Sequence, residues 1–147
     1  MSELNHCKRE SEGKKMQKYK CGINENGHSY EIVNGEPMSD FSALDPDEQE
    51  TAKRWIKKVC KPAVALNKYH TSYGLKHILE GCTGVYMTNN QFKDLMLICG
   101  FKPKYEHELN WIFYIQERPF TKIEKWRRSN HSFFKPEYLD EFFALDL

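Results

Sequence analysis

The sequence predicts an α+β domain, and three observations predict it. An alternating stretch, YKCGINENGHSYEIVNG at 18–34, carries a turn dipeptide at its middle. Two stretches of helical periodicity follow each other across a short link between Thr71 and Gly100. An aromatic and β-branched run, Leu109 to Ile115, comes directly after them. Helix, turn, helix and then an extended ribbon is the order of a helix-turn-helix with a wing. The expected architecture is therefore a winged-helix-like core (helix-turn-helix plus β-hairpin) with an N-terminal β-hairpin and a C-terminal helix.

Each element has a local reason. In the hairpin, Asn26-Gly27 supplies the positive-φ pair that a tight turn favours. Tyr19, Cys21 and Ile23 alternate on one arm, and Tyr30 and Ile32 on the other. A lone hairpin is marginal in water, so it must pack on the helices or gain a third strand. The first helix is signalled by Asp45 as N-cap, Pro46 at its first position and Glu48 completing a capping box. It should run to about Lys61 and stop before Pro62. Ala52, Trp55, Ile56 and Val59 share its inner face, and Lys53, Arg54, Lys57, Lys58 and Lys61 its outer arc.

The second helix starts at Thr71 or Ser72 and points Leu75, Ile78 and Leu79 inward, with Gly81 and Gly84 bracketing its end. Val85-Tyr86-Met87 is an extended link. Thr88 or Asn89 caps a third helix whose Phe92, Leu95, Met96 and Cys99 share a face, and Gly100 ends it. Tyr105 begins the partner of the Leu109–Ile115 strand. Within that strand Ile112 and Tyr114 share one face and Trp111, Phe113 and Ile115 the other; one face should be core, and the other is open to stack bases or meet a protein partner. Ile123 and Trp126 fit either a strand or a short helix. PEYLDEFFALDL reads as a closing amphipathic helix, acidic enough to dock near the basic first helix.

Composition bounds the rest. The 147 residues fit one domain, with 39% hydrophobic and 14% aromatic side chains to build a core. Residues 1–17 are charged and apolar-poor and read as a flexible basic arm; 18–147 read as a single compact domain. The net charge is +1, so the chain is no basic nucleic-acid coat. Charge is segregated instead: from Thr51 to Leu79 there are seven Lys or Arg and no Asp or Glu. The balancing acids lie in Asp40 to Glu50 and at the C-terminus. The five cysteines form no CxxC pair, and the polar start lacks a signal region. Those features predict free thiols and a cytoplasmic location, with no membrane span.

Candidate chemistry is sparse. In the helix-turn-helix reading, Asn89, Asn90, Gln91, Lys93 and Asp94 open the helix that enters the major groove. With Lys53, Arg54, Lys57, Lys58 and Lys61 they make up the expected nucleic-acid or partner-binding residues. Asp94, Glu106 and Glu108 oppose phosphate in the same region. Cys60, His70, His77 and Cys82 are the nearest candidates for zinc, but lack the short paired spacing of a structural site. No cofactor is expected. No phosphate loop, HExxH or GxSxG occurs, so no enzyme and no small-molecule substrate are expected.

The segments Thr71-Ser72-Tyr73-Gly74-Leu75-Lys76-His77, Gly84-Val85-Tyr86-Met87-Thr88-Asn89, Phe92-Lys93, Gly100-Phe101 and Asn110-Trp111-Ile112-Phe113 resemble small accessory proteins of Gram-positive phages and conjugative elements. The resemblance covers about a third of the chain. It implies a bacterial mobile-element protein, in the manner of anti-CRISPR proteins. The function it implies is inhibition of a host defence nuclease by protein–protein contact, with a large nuclease or ribonucleoprotein as partner. The alternative is a winged-helix DNA-binding transcriptional regulator.

Overall fold

The computed structural model describes residues 18–37 and 41–147. The arm expected over 1–17, with Cys7, and Asp40 of the acidic segment lie outside the described residues. The chain forms two small antiparallel sheets and five α-helices, which makes it α+β. No helix among the described residues is long and apolar enough to cross a membrane.

The first sheet is a meander of β1 (Tyr19–Ile23), β2 (Ser29–Val33) and β3 (Glu36–Pro37). Its turns differ from the expected one. Ile23 pairs with Ser29, leaving a longer loop around Asn26-Gly27. There Asn24 Oδ1 accepts from the backbone N–H of Asn26 and His28 and replaces a two-residue turn. The two-residue turn is formed instead by Asn34-Gly35, where both φ values are positive (52° and 86°) and Val33 pairs with Glu36.

A 3-10 turn at Phe41–Ala43 leads to α1 (Pro46–Val59). Ala52, Trp55, Ile56 and Val59 are all buried, as the periodicity predicts. Asp45 occupies the N-cap without a side-chain hydrogen bond, so the expected capping box is not formed there. Pro46 at the helix start and Asp47 and Glu48 in the first turn remain favourable to the helix. The chain then enters β4 (Pro62–Asn67), an element the sequence pattern hides. Half of its residues are exposed, Val64 at 99%, and only Asn67 is buried, so no alternation marks it.

The next two helices are α2 (Ser72–Thr83) and α3 (Asn89–Ile98). Thr71 Oγ1 caps the first, accepting from Gly74 N–H, and Gly84 closes it at φ 77°. Thr88 and Gln91 form a reciprocal capping box on α3. Gly100 follows α3 at φ 92°. The expected wing is reduced: β5 covers Phe113–Ile115, and toward the Tyr105 side Phe113 bridges to Pro103 while Lys104 N–H donates to the Ile112 C=O. β5 pairs antiparallel with β4, placing Pro62 opposite Ile115 and Asn67 opposite Phe113. Helices α4 (Arg118–Arg128) and α5 (Tyr138–Phe143) complete the chain, so Ile123 and Trp126 belong to a helix.

One core unites these pieces. Trp55, Leu75, Leu79, Phe92, Leu95, Trp111, Phe113 and Phe142 are all fully buried within it. Trp111 is fixed by backbone as well as packing. Its N–H donates to Ser72 Oγ, its C=O accepts from Ser72 N–H, and its ring Nε1–H donates to the Glu106 C=O.

The C-cap of α2 offers a direct test. A Cβ at Gly84 would lie 2.6 Å from a ring carbon of Phe134, at a backbone conformation side chains rarely adopt. Gly84→Ala should cost at least about 1 kcal/mol in urea unfolding, from strain and overpacking together. An unchanged midpoint would show that Phe134 does not pack as described.

Candidate binding surface

The N-terminal half of α3 does not face solvent. Asn90, Gln91, Lys93 and Asp94 are buried, and Asn89 is half-buried. The first sheet lies over them. Asp94 accepts from Ser29 N–H and Ser29 Oγ–H, both at 2.7 Å, and from Phe41 N–H at 3.3 Å. Ser29 Oγ also lies 3.2 Å from Asn90 Oδ1. Lys93 Nζ lies 3.5 Å from Glu31 Oε2, 3.4 Å from the Glu108 C=O and 4.8 Å from the Trp111 ring centre. Gln91 Oε1 accepts from Thr88 N–H in the capping box. Asn89 Nδ2–H donates to Leu109 C=O and Asn110 Oδ1.

This corrects the expectation for Asn90, Gln91 and Lys93 as partner-contacting residues. Polar side chains at a helix start serve a groove or an interior equally well, and the sequence pattern does not separate the two. Here Asn90 lies against Ser29, Gln91 caps its own helix through Thr88, and Lys93 faces Glu31 inside the protein.

The basic arc of α1 is only partly open. The Arg54 guanidinium stacks 4.0 Å over the Phe143 ring, and Lys58 Nζ–H donates to the Leu145 C=O. The C-terminal segment thus lies against the basic helix, as its composition suggests. It uses a ring and a carbonyl in these contacts rather than its carboxylates. Lys57 is exposed, and Lys53 and Lys61 are half-buried. Lys53 and Lys57 flank Cys99, whose thiol pKa is raised by burial and drawn back by those two charges.

The zinc candidates are not brought together. Among the described residues no group of three or more His, Cys, Asp or Glu is placed to hold a metal ion. Cys60 and Cys82 are core residues. Burial pushes the Cys60 thiol far above its ordinary range and the Cys82 thiol up to about 11. His70 pairs with Glu117 at 3.0 Å, whereas His77 is exposed beside Glu80. Cys60, Cys82 and Cys99 are free thiols, but Cys21 is disulfide-bonded, which corrects the expectation of free thiols throughout.

An open surface lies on α2 and the link after it. Tyr73 and Tyr86 are 53% and 58% exposed, and Lys76 Nζ sits 5.0 and 5.1 Å from their ring centres. His77 meets Tyr73 edge-on at 4.6 Å. Desolvation lowers the Lys76 pKa, with Glu80 acting the other way. The sequence reading assigned α2 to the core and the Tyr86 segment to a linker. The spacing carries the signal: Tyr73 and His77 stand at i and i+4 on the exposed side of α2, with Lys76 buried at the border between them and Leu79. No protein family, curated protein or solved structure matches this chain.

The buried pair makes two predictions. Lys93→Met strands Glu31 in the interior and should cost about 3–5 kcal/mol, most of it recovered by Lys93→Met with Glu31→Gln. Burial lowers the Lys93 pKa to about 8 against the ordinary 10.5, with Glu31 opposing the shift. Between those values the unfolded chain binds more protons, so stability should rise as pH goes from about 8 to 10.5. Chemical denaturation of the double variant across that range should lack this rise.

Proposed function

We propose that this chain is a non-enzymatic binding protein that works by protein–protein contact. The observation that carries this reading is the reversal of the expected surface. The polar start of α3 faces the protein's own sheet, while Tyr73, His77 and Tyr86 stand outside as an aromatic patch around the Lys76 ammonium, which their rings and the helix surface bury. Exposed tyrosines around a partly desolvated cation are the composition of an interface centre, because rings contribute large contact area at little entropic cost. The mobile-element resemblance narrows the partner to a large host defence nuclease of the CRISPR type, and the activity to its inhibition.

The alternative, a winged-helix DNA-binding regulator, has its own support. The order α1, β4, α2, α3, β5, with β4 beside β5 and Pro103 bridged to Phe113, follows a winged-helix order. Against it stand the burial of Asn90, Gln91 and Lys93 and the C-terminal segment over Arg54 and Lys58.

Two measurements on the purified chain separate these. Mobility-shift assays on duplex and single-stranded DNA at low salt should show no retardation. Co-purification with CRISPR nucleases of Gram-positive hosts should yield a stable complex. Tyr73→Ala with Tyr86→Ala should weaken that complex by about 2 kcal/mol or more while preserving the fold. Tight, salt-dependent retardation of DNA, with no complex formed, would replace the inhibitor with the regulator.

A further inference from the structure

A cleft of about 410 Å³ lies along α4, away from the Tyr73–Tyr86 patch. Its volume is in the range that holds a small organic molecule. Phe120, Ile123, Glu124 and Arg127 all line it, and they stand at i, i+3, i+4 and i+7, on one face of the helix. Seven residues separate Phe120 from Arg127, a rise of about 10 Å along the axis. The cleft therefore has two chemically different ends.

The first end is aromatic. His70 packs 4.5 Å from Phe120, centre to centre. Its Nε2 faces Glu117, which also accepts from Asn67 Nδ2–H at 2.9 Å. Glu117 is hydrogen-bonded to both His70 and Asn67 at this end, with its side chain still 40% exposed.

The second end is cationic. Glu124 is paired with Arg128 at 2.7 Å, so that acid is matched as well. Arg127 has no carboxylate partner among the described residues. Its Nη2–H donates to the Ser132 C=O at 3.1 Å, and its Nε is buried without an acceptor. The guanidinium lies flat on the α2 backbone, where Gly81 leaves room: a Cβ there would be 2.6 Å from Arg127 Cζ. The group is thus held in place by the fold while one charge stays uncompensated. A fixed guanidinium of this kind suits a phosphate group, whose oxygens match its planar fork.

From this we propose that the cleft binds a small phosphorylated aromatic ligand of the nucleoside monophosphate class. Its phosphate sits on Arg127, with the more exposed Arg128 beside it, and its flat ring lies against His70 and Phe120, with Ile78 and Ile123 along the side. This does not rest on the protein-partner reading, since it uses another face and another ligand.

Isothermal titration of the full chain with adenosine monophosphate, adenosine and inorganic phosphate tests it. The monophosphate should bind saturably, and adenosine or phosphate alone at least about tenfold more weakly. Gly81→Ala displaces the guanidinium without changing charge and adds a better helix former. It and Arg127→Lys should each weaken monophosphate binding by about tenfold or more, at an unchanged unfolding midpoint. Should Gly81→Ala fail to fold, Arg127→Lys decides alone. No saturable binding into the millimolar range would overturn the proposal. So would phosphate binding as well as the monophosphate, or affinity that neither variant alters.

Discussion

Asp94 and Lys93 are adjacent on α3 and both are buried, at 1% and 0% exposure. One accepts three hydrogen bonds from Ser29 and Phe41; the other faces Glu31 and the Trp111 ring. Between them they join the first sheet, the 3-10 turn, α3 and the segment before β5. Charges taken out of water need such complete matching, because either partner alone would be stranded at a cost of several kcal/mol. An apolar seam of equal area could slide by a residue; a slip here would strand the Asp94 and Lys93 charges away from Ser29, Phe41 and Glu31. The way α3 faces, and therefore which surfaces remain for partners, follows from that requirement.

The periodic parts of the fold were legible. The α1 stripe and the Thr88 and Gly84 helix boundaries follow from spacing and capping and are found, whereas alternation along Leu109–Ile115 leaves open which face is core, and the structure buries Trp111, Phe113 and Ile115. Other parts depend on information that spacing lacks. β4 is a half-exposed ribbon whose only sequence mark is Pro62 after a helix. Asn26-Gly27 and Asn34-Gly35 are the same dipeptide, yet register makes only the second a two-residue turn. Gln91 looks like a base reader until Thr88 is seen to claim it as a capping partner. Half of the basic site was visible as charge, but Arg54 and Lys58 needed the position of Phe143 and Leu145, about ninety residues away in sequence.

Charge segregation along the chain has a spatial counterpart. The acid-free run from Thr51 to Leu79 supplies both the α1 arc and the α2 patch. On α1 the C-terminal segment lies against two of the cations. On α2 two tyrosines flank the buried Lys76 instead. The same stretch of sequence thus contributes an internal contact on one helix and an outward-facing surface on the next. The cleft on α4 adds a third environment, where a glycine and a backbone carbonyl hold an arginine that has no acid among the described residues.

The free thiols divide in a way that serves spectroscopy. Cys60 and Cys82 are sealed in the core with their thiols held protonated. Cys99 is half-buried at the end of α3; burial raises its thiol pKa too, but Lys53 and Lys57 draw it part of the way back. Alkylating reagents need an accessible thiolate, so of these three positions Cys99 is the one a fluorophore would meet first. A dye there would sit beside α1 and at the far end of the helix that carries the buried seam. It would report on docking at the basic arc without an engineered cysteine.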